Sequence, residues 1–178
     1  NSVSAQVSGA DVTVTNTNVA EELEFVLSGT SQAGSFTYNG QYKATFILNG
    51  LNLTSTSTAA VNIQCGKRID LKLAEGTDNM LEDCAGGGQK AALYCKGHLE
   101  LSGAGTLTVK GNTAHAIGTK EYLVVKKSVR LLAVTGAVKD GIHVGQYYQQ
   151  NGGIVTIAGN KGDALQVEAI TLDDGTPD

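Results

Sequence analysis

The sequence predicts an all-β parallel β-helix, a solenoid with three short strands per turn, and three observations carry that prediction. The first is a recurring phrase: Ala91-Ala92-Leu93-Tyr94-Cys95-Lys96, His115-Ala116-Ile117-Gly118-Thr119-Lys120, Asp140-Gly141-Ile142-His143-Val144-Gly145 and Asp163-Ala164-Leu165-Gln166-Val167-Glu168, with a looser copy at Ala59-Ala60-Val61-Asn62-Ile63-Gln64. Its aliphatic anchors Val61, Leu93, Ile117, Ile142 and Leu165 stand 32, 24, 25 and 23 residues apart. At such a period a single repeat cannot bury its apolar face, whereas stacked repeats can. The second is composition: 23 glycines and one proline among abundant Val, Ile, Leu and Thr suit many short strands joined by tight turns. The third is the period of two in the apolar runs, with helical periodicity absent throughout.

A chain of 178 residues, 41% of them hydrophobic, is long enough for one domain with a sizeable core. We expect a single domain over 1–178, with 1–24 as an amino-terminal cap and 25–172 as helical turns. In the cap, Val3, Ala5, Val7, Val12 and Val14 alternate, and an atypical first repeat would shield the core and strand edge that an open solenoid end exposes. Strands are expected at 35–38, 44–48, 51–53, 59–64 and 69–73. Residues 75–90, with Gly86-Gly87-Gly88 and little periodicity, are expected to form a loop insertion that accounts for the 32-residue spacing. From residue 91 each coil divides into three strands: 93–96, 98–102 and 106–110; then 117–120, 122–125 and 128–132; then 142–144, 147–150 and 153–157. Like positions on successive coils then lie ~4.8 Å apart.

The net charge of −4 comes from 13 basic and 17 acidic residues without a basic run, so nucleic acid and anionic membranes are not expected partners. No window approaches the ~18 to 20 apolar residues of a membrane span, and the opening Asn1-Ser2-Val3-Ser4 lacks the regions of a signal peptide. A secreted form would need a signal outside this stretch. Cys65, Cys84 and Cys95 are odd in number and lack CxxC spacing, which indicates neither a disulfide framework nor a cysteine zinc site. Cys95 has inward parity and reads as a buried thiol, while a Cys84–Cys95 bridge stays open.

Because side chains alternate across a strand, inward anchors imply an outward column of Asn62, Tyr94, Gly118, His143 and Gln166. Two residues beyond the anchors come Gln64, Lys96, Lys120, Gly145 and Glu168; two before them come Ala91, His115, Asp140 and Asp163. Such columns set polar groups at regular intervals along one face, as an extended polymer requires. The candidate glycan-binding residues are therefore Tyr94, Lys96, His115, Lys120, His143 and Gln166, and no catalytic residue is assigned. Tyr122, Tyr147 and Tyr148 are further rings for sugar faces, although only 5% of the chain is aromatic and Trp is absent.

Asp140 and Asp163 place two carboxylates one turn apart at a turn-to-strand junction, where they repel unless a cation, proton or lysine intervenes. Calcium is the expected hard cation, with Asn160 as an added ligand. The alternative is that these carboxylates only accept hydrogen bonds from turn amides. His115 shares the column of Asp140, where the two would pair either structurally or for acid–base work.

The chain resembles a family of bacterial cell-surface carbohydrate-binding proteins built on a right-handed parallel β-helix of polysaccharide-lyase type. The likeness rests on 25–30, 46–53, 73–79, the run Gly103-Ala104-Gly105-Thr106-Leu107-Thr108-Val109-Lys110-Gly111-Asn112, Lys139-Asp140-Gly141-Ile142, and Gly152-Gly153 through Gly162-Asp163-Ala164-Leu165. It implies secretion, a pectate-lyase-like helix, binding of cellulose-like or acidic plant polysaccharide, and calcium along the helix. It also implies that Asp140 and Asp163 are the acidic turn positions, with His115 at the family's His position. Ala116 and Ala164 depart from it, standing where glycine is common.

The expected function is thus an extracellular, non-catalytic carbohydrate-binding protein with bound calcium. One alternative is a calcium-dependent polysaccharide lyase in which Lys120, Lys139 or Arg130 removes the proton α to a uronate carboxyl. Another is a structural or adhesive surface module that binds no glycan.

Overall fold

The computed structural model describes residues 2–168, and these contain eighteen strands and no helix. The chain opens with β1 (Val3–Ser8) and β2 (Asp11–Asn16), an antiparallel pair, followed by β3 (Leu23–Ser31). The next coils hold β4 (Phe36–Gly40) and β5 (Ala44–Thr54), then β6 (Val61–Gln64), β7 (Ile69–Leu73) and β8 (Asp78–Glu82). They continue with β9 (Ala91–Cys95), β10 (Leu99–Ser102) and β11 (Thr106–Gly111), then β12 (His115–Thr119), β13 (Leu123–Val125) and β14 (Leu131–Ala137). The last are β15 (Ile142–Val144), β16 (Tyr148–Gln150), β17 (Ile154–Ile157) and β18 (Leu165–Val167).

These strands stack as a parallel β-solenoid with three faces. The first face is β4, β6, β9, β12, β15 and β18 in that order. β5 is long enough to serve the other two: Ala44–Leu48 pairs with β7, and Asn52–Thr54 pairs with β8. β10, β13 and β16 continue the second face, and β11, β14 and β17 the third. Gly50 supplies the positive φ of 72° at the bend in β5, a conformation that costs glycine nothing. At Gly103 (φ 84°) a Cβ would also lie 2.1 Å from the Leu73 carbonyl oxygen of the coil beneath, so tight stacking excludes any side chain there.

The anchors occupy successive rungs: Val61 pairs with Leu93, Leu93 with Ile117, Ile117 with Ile142, and Ile142 with Leu165. Val61, Leu93, Ile117 and Ile142 are at most 1% exposed, each burial stabilising by about 1.5–3 kcal/mol. The only three phenylalanines gather in one place: Phe25 and Phe46 pack on Tyr38 and Phe36 packs on Phe46, with ring centroids 4.8–5.6 Å apart, filling the amino-terminal end of the lumen. The Tyr38 hydroxyl is not stranded there, because Asn16 Nδ2 donates to it at 3.1 Å.

Two sequence-based expectations change. Residues 75–90 are not all loop, since β8 lies within them and pairs with both β5 and β11. Its sequence, Asp-Asn-Met-Leu-Glu, has one strongly inward apolar residue, Leu81, and buries Asn79 instead of a second aliphatic. Asn79 fits because Oδ1 accepts the Leu51 N–H at 2.8 Å and Nδ2 donates to the Thr106 carbonyl at 3.1 Å. The open cysteine question also closes: Cys65, Cys84 and Cys95 are all free thiols, with Cys65 and Cys95 buried. The expected turns at 169–172 lie outside the described residues.

Candidate functional site

The corner between the third and first faces holds a groove of about 880 Å³. Its floor is the outward column of the first face, Tyr94, Gly118, His143 and Gln166, brought into line by the parallel register of β9, β12, β15 and β18. At Gly118 the column lacks a side chain, which leaves a notch between Tyr94 and His143. Its wall is formed by His115 and Asp140 of one turn column with Gly162 of the column beside it, and its rim carries Lys90, Lys120, Lys139 and Lys161, all exposed. Among the described residues the lining sets against these four cations only the carboxylates of Asp140 and Glu168, so this described lining is positive in a chain of net charge −4.

Asp140 is the best-connected residue of the wall. Its Oδ1 accepts the backbone N–H of Asp163 at 3.1 Å, just as Asp83 two coils below accepts the N–H groups of Asn112 and Thr113 at 2.5 and 3.3 Å. Its Oδ2 faces two imidazoles, His115 Nδ1 and His143 Nδ1, each at 3.1 Å. The contact with His143 is aligned as a hydrogen bond, whereas His115 Nδ1 is buried without an aligned partner. The rings stack with centroids 4.4 Å apart. Burial, and next the neighbouring His143, hold the pKa of His115 below the ordinary imidazole value against the opposing pull of Asp140, because desolvation disfavours the charged ring.

Of the expected site residues, Tyr94, His115, Lys120, His143 and Gln166 line this groove, and Lys96 does not. Tyr94 is outward, as parity requires, yet only 8% exposed because it packs on Ala59 and Ala91. His143 faces outward from its strand and is half-buried against Asp140. Tyr122 and Tyr147 stack on each other across the second face at 4.9 Å, away from the groove. They cover one another's faces and form no flat platform there.

Of the expected calcium ligands, Asn160 and Asp163 are seen in hydrogen bonds of the turn. Asn160 Nδ2 donates to the Gly162 carbonyl at 2.6 Å, and Asp163 meets Asp140 through its backbone N–H. Among the described residues, the histidine, cysteine and carboxylate donors that converge on one point are those of His115, Asp140 and His143. Calcium takes six to eight oxygens, so a set dominated by two imidazole nitrogens does not fit it.

The lysines of the rim were only partly legible. Lys90, Ala114, Lys139 and Gly162 form the column just before His115, as shown by the amide bonds His115 N–H to Lys90 O, Lys139 N–H to Ala114 O and Gly162 N–H to Lys139 O. Counting one residue back from the polar column would have found Lys90 and Lys139, although Lys161 protrudes from an irregular turn.

A family described as carbohydrate-binding domain-containing protein matches residues 8–176. The chain belongs to this family. A relative of the same description from Acetivibrio thermocellus is 27% identical over 129 residues, covering 67% of this chain and 45% of its own length; the chain thus spans less than half of that relative. The fold matches a polysaccharide lyase-like protein from C. thermocellum, solved as a gadolinium derivative, with a TM-score of 0.66 and 21% identity over 93% of this chain and 88% of the other. That likeness shows a polysaccharide-lyase-like fold. No helix among the described residues is long and apolar enough to cross a membrane.

Proposed function

We propose that this carbohydrate-binding domain acts outside the cell, without catalysis, and holds an acidic polysaccharide along the groove of the first face. The observation that carries this is the rim of four exposed lysines over a floor with one side-chain-free rung, Gly118. A uronate polymer presents carboxylates at regular intervals, which solvated ammonium groups attract at long range, while sugar hydroxyls meet the histidine, glutamine and tyrosine below. A neutral glucan would gain nothing from that rim, so polygalacturonate-like polymers are favoured over cellulose-like ones.

A lyase is the second reading, and the specific observation for it is that Lys120 and Lys139 line the groove beside Asp140, whereas Arg130 does not. One experiment separates them. Calorimetric titration with polygalacturonate oligomers and with soluble cello-oligomers, followed by ultraviolet absorbance of the mixtures, is expected to give binding of the acidic series only and no rise from a new double bond. Absorbance growth would replace binder with enzyme, and absence of binding to either series would overturn both.

A further inference from the structure

We infer that His115, Asp140 and His143 form a binding site for one divalent transition ion of the zinc class. Their donor atoms, one from each residue, all lie within 4.8 Å of one another. Both imidazole Nδ1 atoms stand 3.1 Å from the same carboxylate oxygen, Asp140 Oδ2. Bonds of about 2.0–2.1 Å at tetrahedral angles place ligand atoms about 3.3 Å apart, so these two separations already approach those of a filled site. An ion also explains the unsatisfied group: His115 is 9% exposed, and its Nδ1 is buried beside the carboxylate oxygen without an aligned hydrogen bond. Buried polar atoms without partners are rare and costly, and a lone pair pointing at a cation is satisfied.

The surroundings match what such a site needs. Asp140 Oδ1 is held by the Asp163 N–H at 3.1 Å, which fixes the carboxylate plane. Glu168 Oε1 lies 3.9 Å from His143 Nε2, a negative charge that favours the proton on that nitrogen and so leaves Nδ1 free to ligate, the tautomer that outer carboxylates select in metal-bound histidines. Stacking of the two rings restricts their rotation. Lys90 and Lys139 oppose a cation, but both ammonium groups are exposed and therefore screened by solvent and salt. Two nitrogens and one oxygen suit zinc, cobalt or nickel better than calcium or magnesium, and the remaining coordination position opens on the groove.

The site stands apart from the polysaccharide reading, because its test contains no sugar. Metal-stripped protein is titrated with zinc by competition against a chromophoric chelator, and with cobalt by visible absorption. We expect one ion per chain, a cobalt spectrum of low coordination number, and no displacement by millimolar calcium. His143→Ala, at a half-buried position, weakens binding by at least about tenfold, as does His115→Ala, while His98→Ala, altering the remaining histidine on the second face, leaves it unchanged. Thermal melts establish that each variant folds. Absence of a stoichiometric ion in the wild-type protein, wild-type affinity in a folded His143→Ala, or displacement by calcium would overturn the proposal.

Discussion

Gly118 lies directly above Tyr94 in the register of the first face, and a Cβ built on it would come within 3.7 Å of Tyr94 Cδ2 and 3.1 Å of the Ala91 methyl. The backbone there is not in the left-handed region, so a larger residue would alter groove shape more than it strains the chain. Gly118→Gln is therefore expected to weaken acidic-glycan binding by about tenfold, the effect of about 1.4 kcal/mol, with a melting temperature lowered by only a few degrees. Titration calorimetry with polygalacturonate oligomers checks it.

The lysine rim makes binding electrostatic, and screening shortens its reach from about 10 Å at 0.1 M salt to about 3 Å at 1 M. Affinity for an acidic polymer should fall steadily with added sodium chloride. The double change Lys120→Glu and Lys139→Glu should abolish most of that dependence along with most of the binding. Both side chains are exposed, so circular dichroism should be unchanged.

Asn79 joins three coils through Leu51 and Thr106 and is 2% exposed. Asn79→Ala leaves the Leu51 N–H buried without an acceptor, a loss of about 1–3 kcal/mol. Urea unfolding should show the midpoint fall with little change in slope.

Burial pushes the Cys95 thiol from an ordinary 9.0 up to about 12. Below pH 9 the thiol is protonated in both folded and unfolded chains and its contribution is constant. Between pH 9 and about 12 the unfolded chain releases a proton that the folded one keeps, so stability falls as pH rises, by at most about 1.4 kcal/mol per unit. Cys95→Ala should flatten that part of the pH profile. In the native protein at pH 8, Cys84, which is only partly buried, should be the first thiol to react with iodoacetamide.

The stacked rungs were legible because the aliphatic anchors return at nearly constant spacing and each must face the lumen. β8 escaped notice because its lumen-facing partner is an asparagine, whose burial depends on a backbone N–H from the coil below and a carbonyl from the coil above. The aromatic fill at the amino-terminal end was equally hidden: Phe25, Phe36, Tyr38 and Phe46 are scattered along the chain and meet only when the coils close.

The site divides in the same way. Sequence alone placed His115, Asp140 and Asp163 in one column and His143 and Gln166 in another, because parity and period are local properties of a repeating strand. It did not determine how the two columns converge at the corner, that Tyr94 is covered by Ala59 and Ala91, or that the Asp140 carboxylate turns toward two imidazoles. Those outcomes depend on side-chain direction at an irregular turn, where no periodicity operates and only packing between adjacent coils selects the conformation.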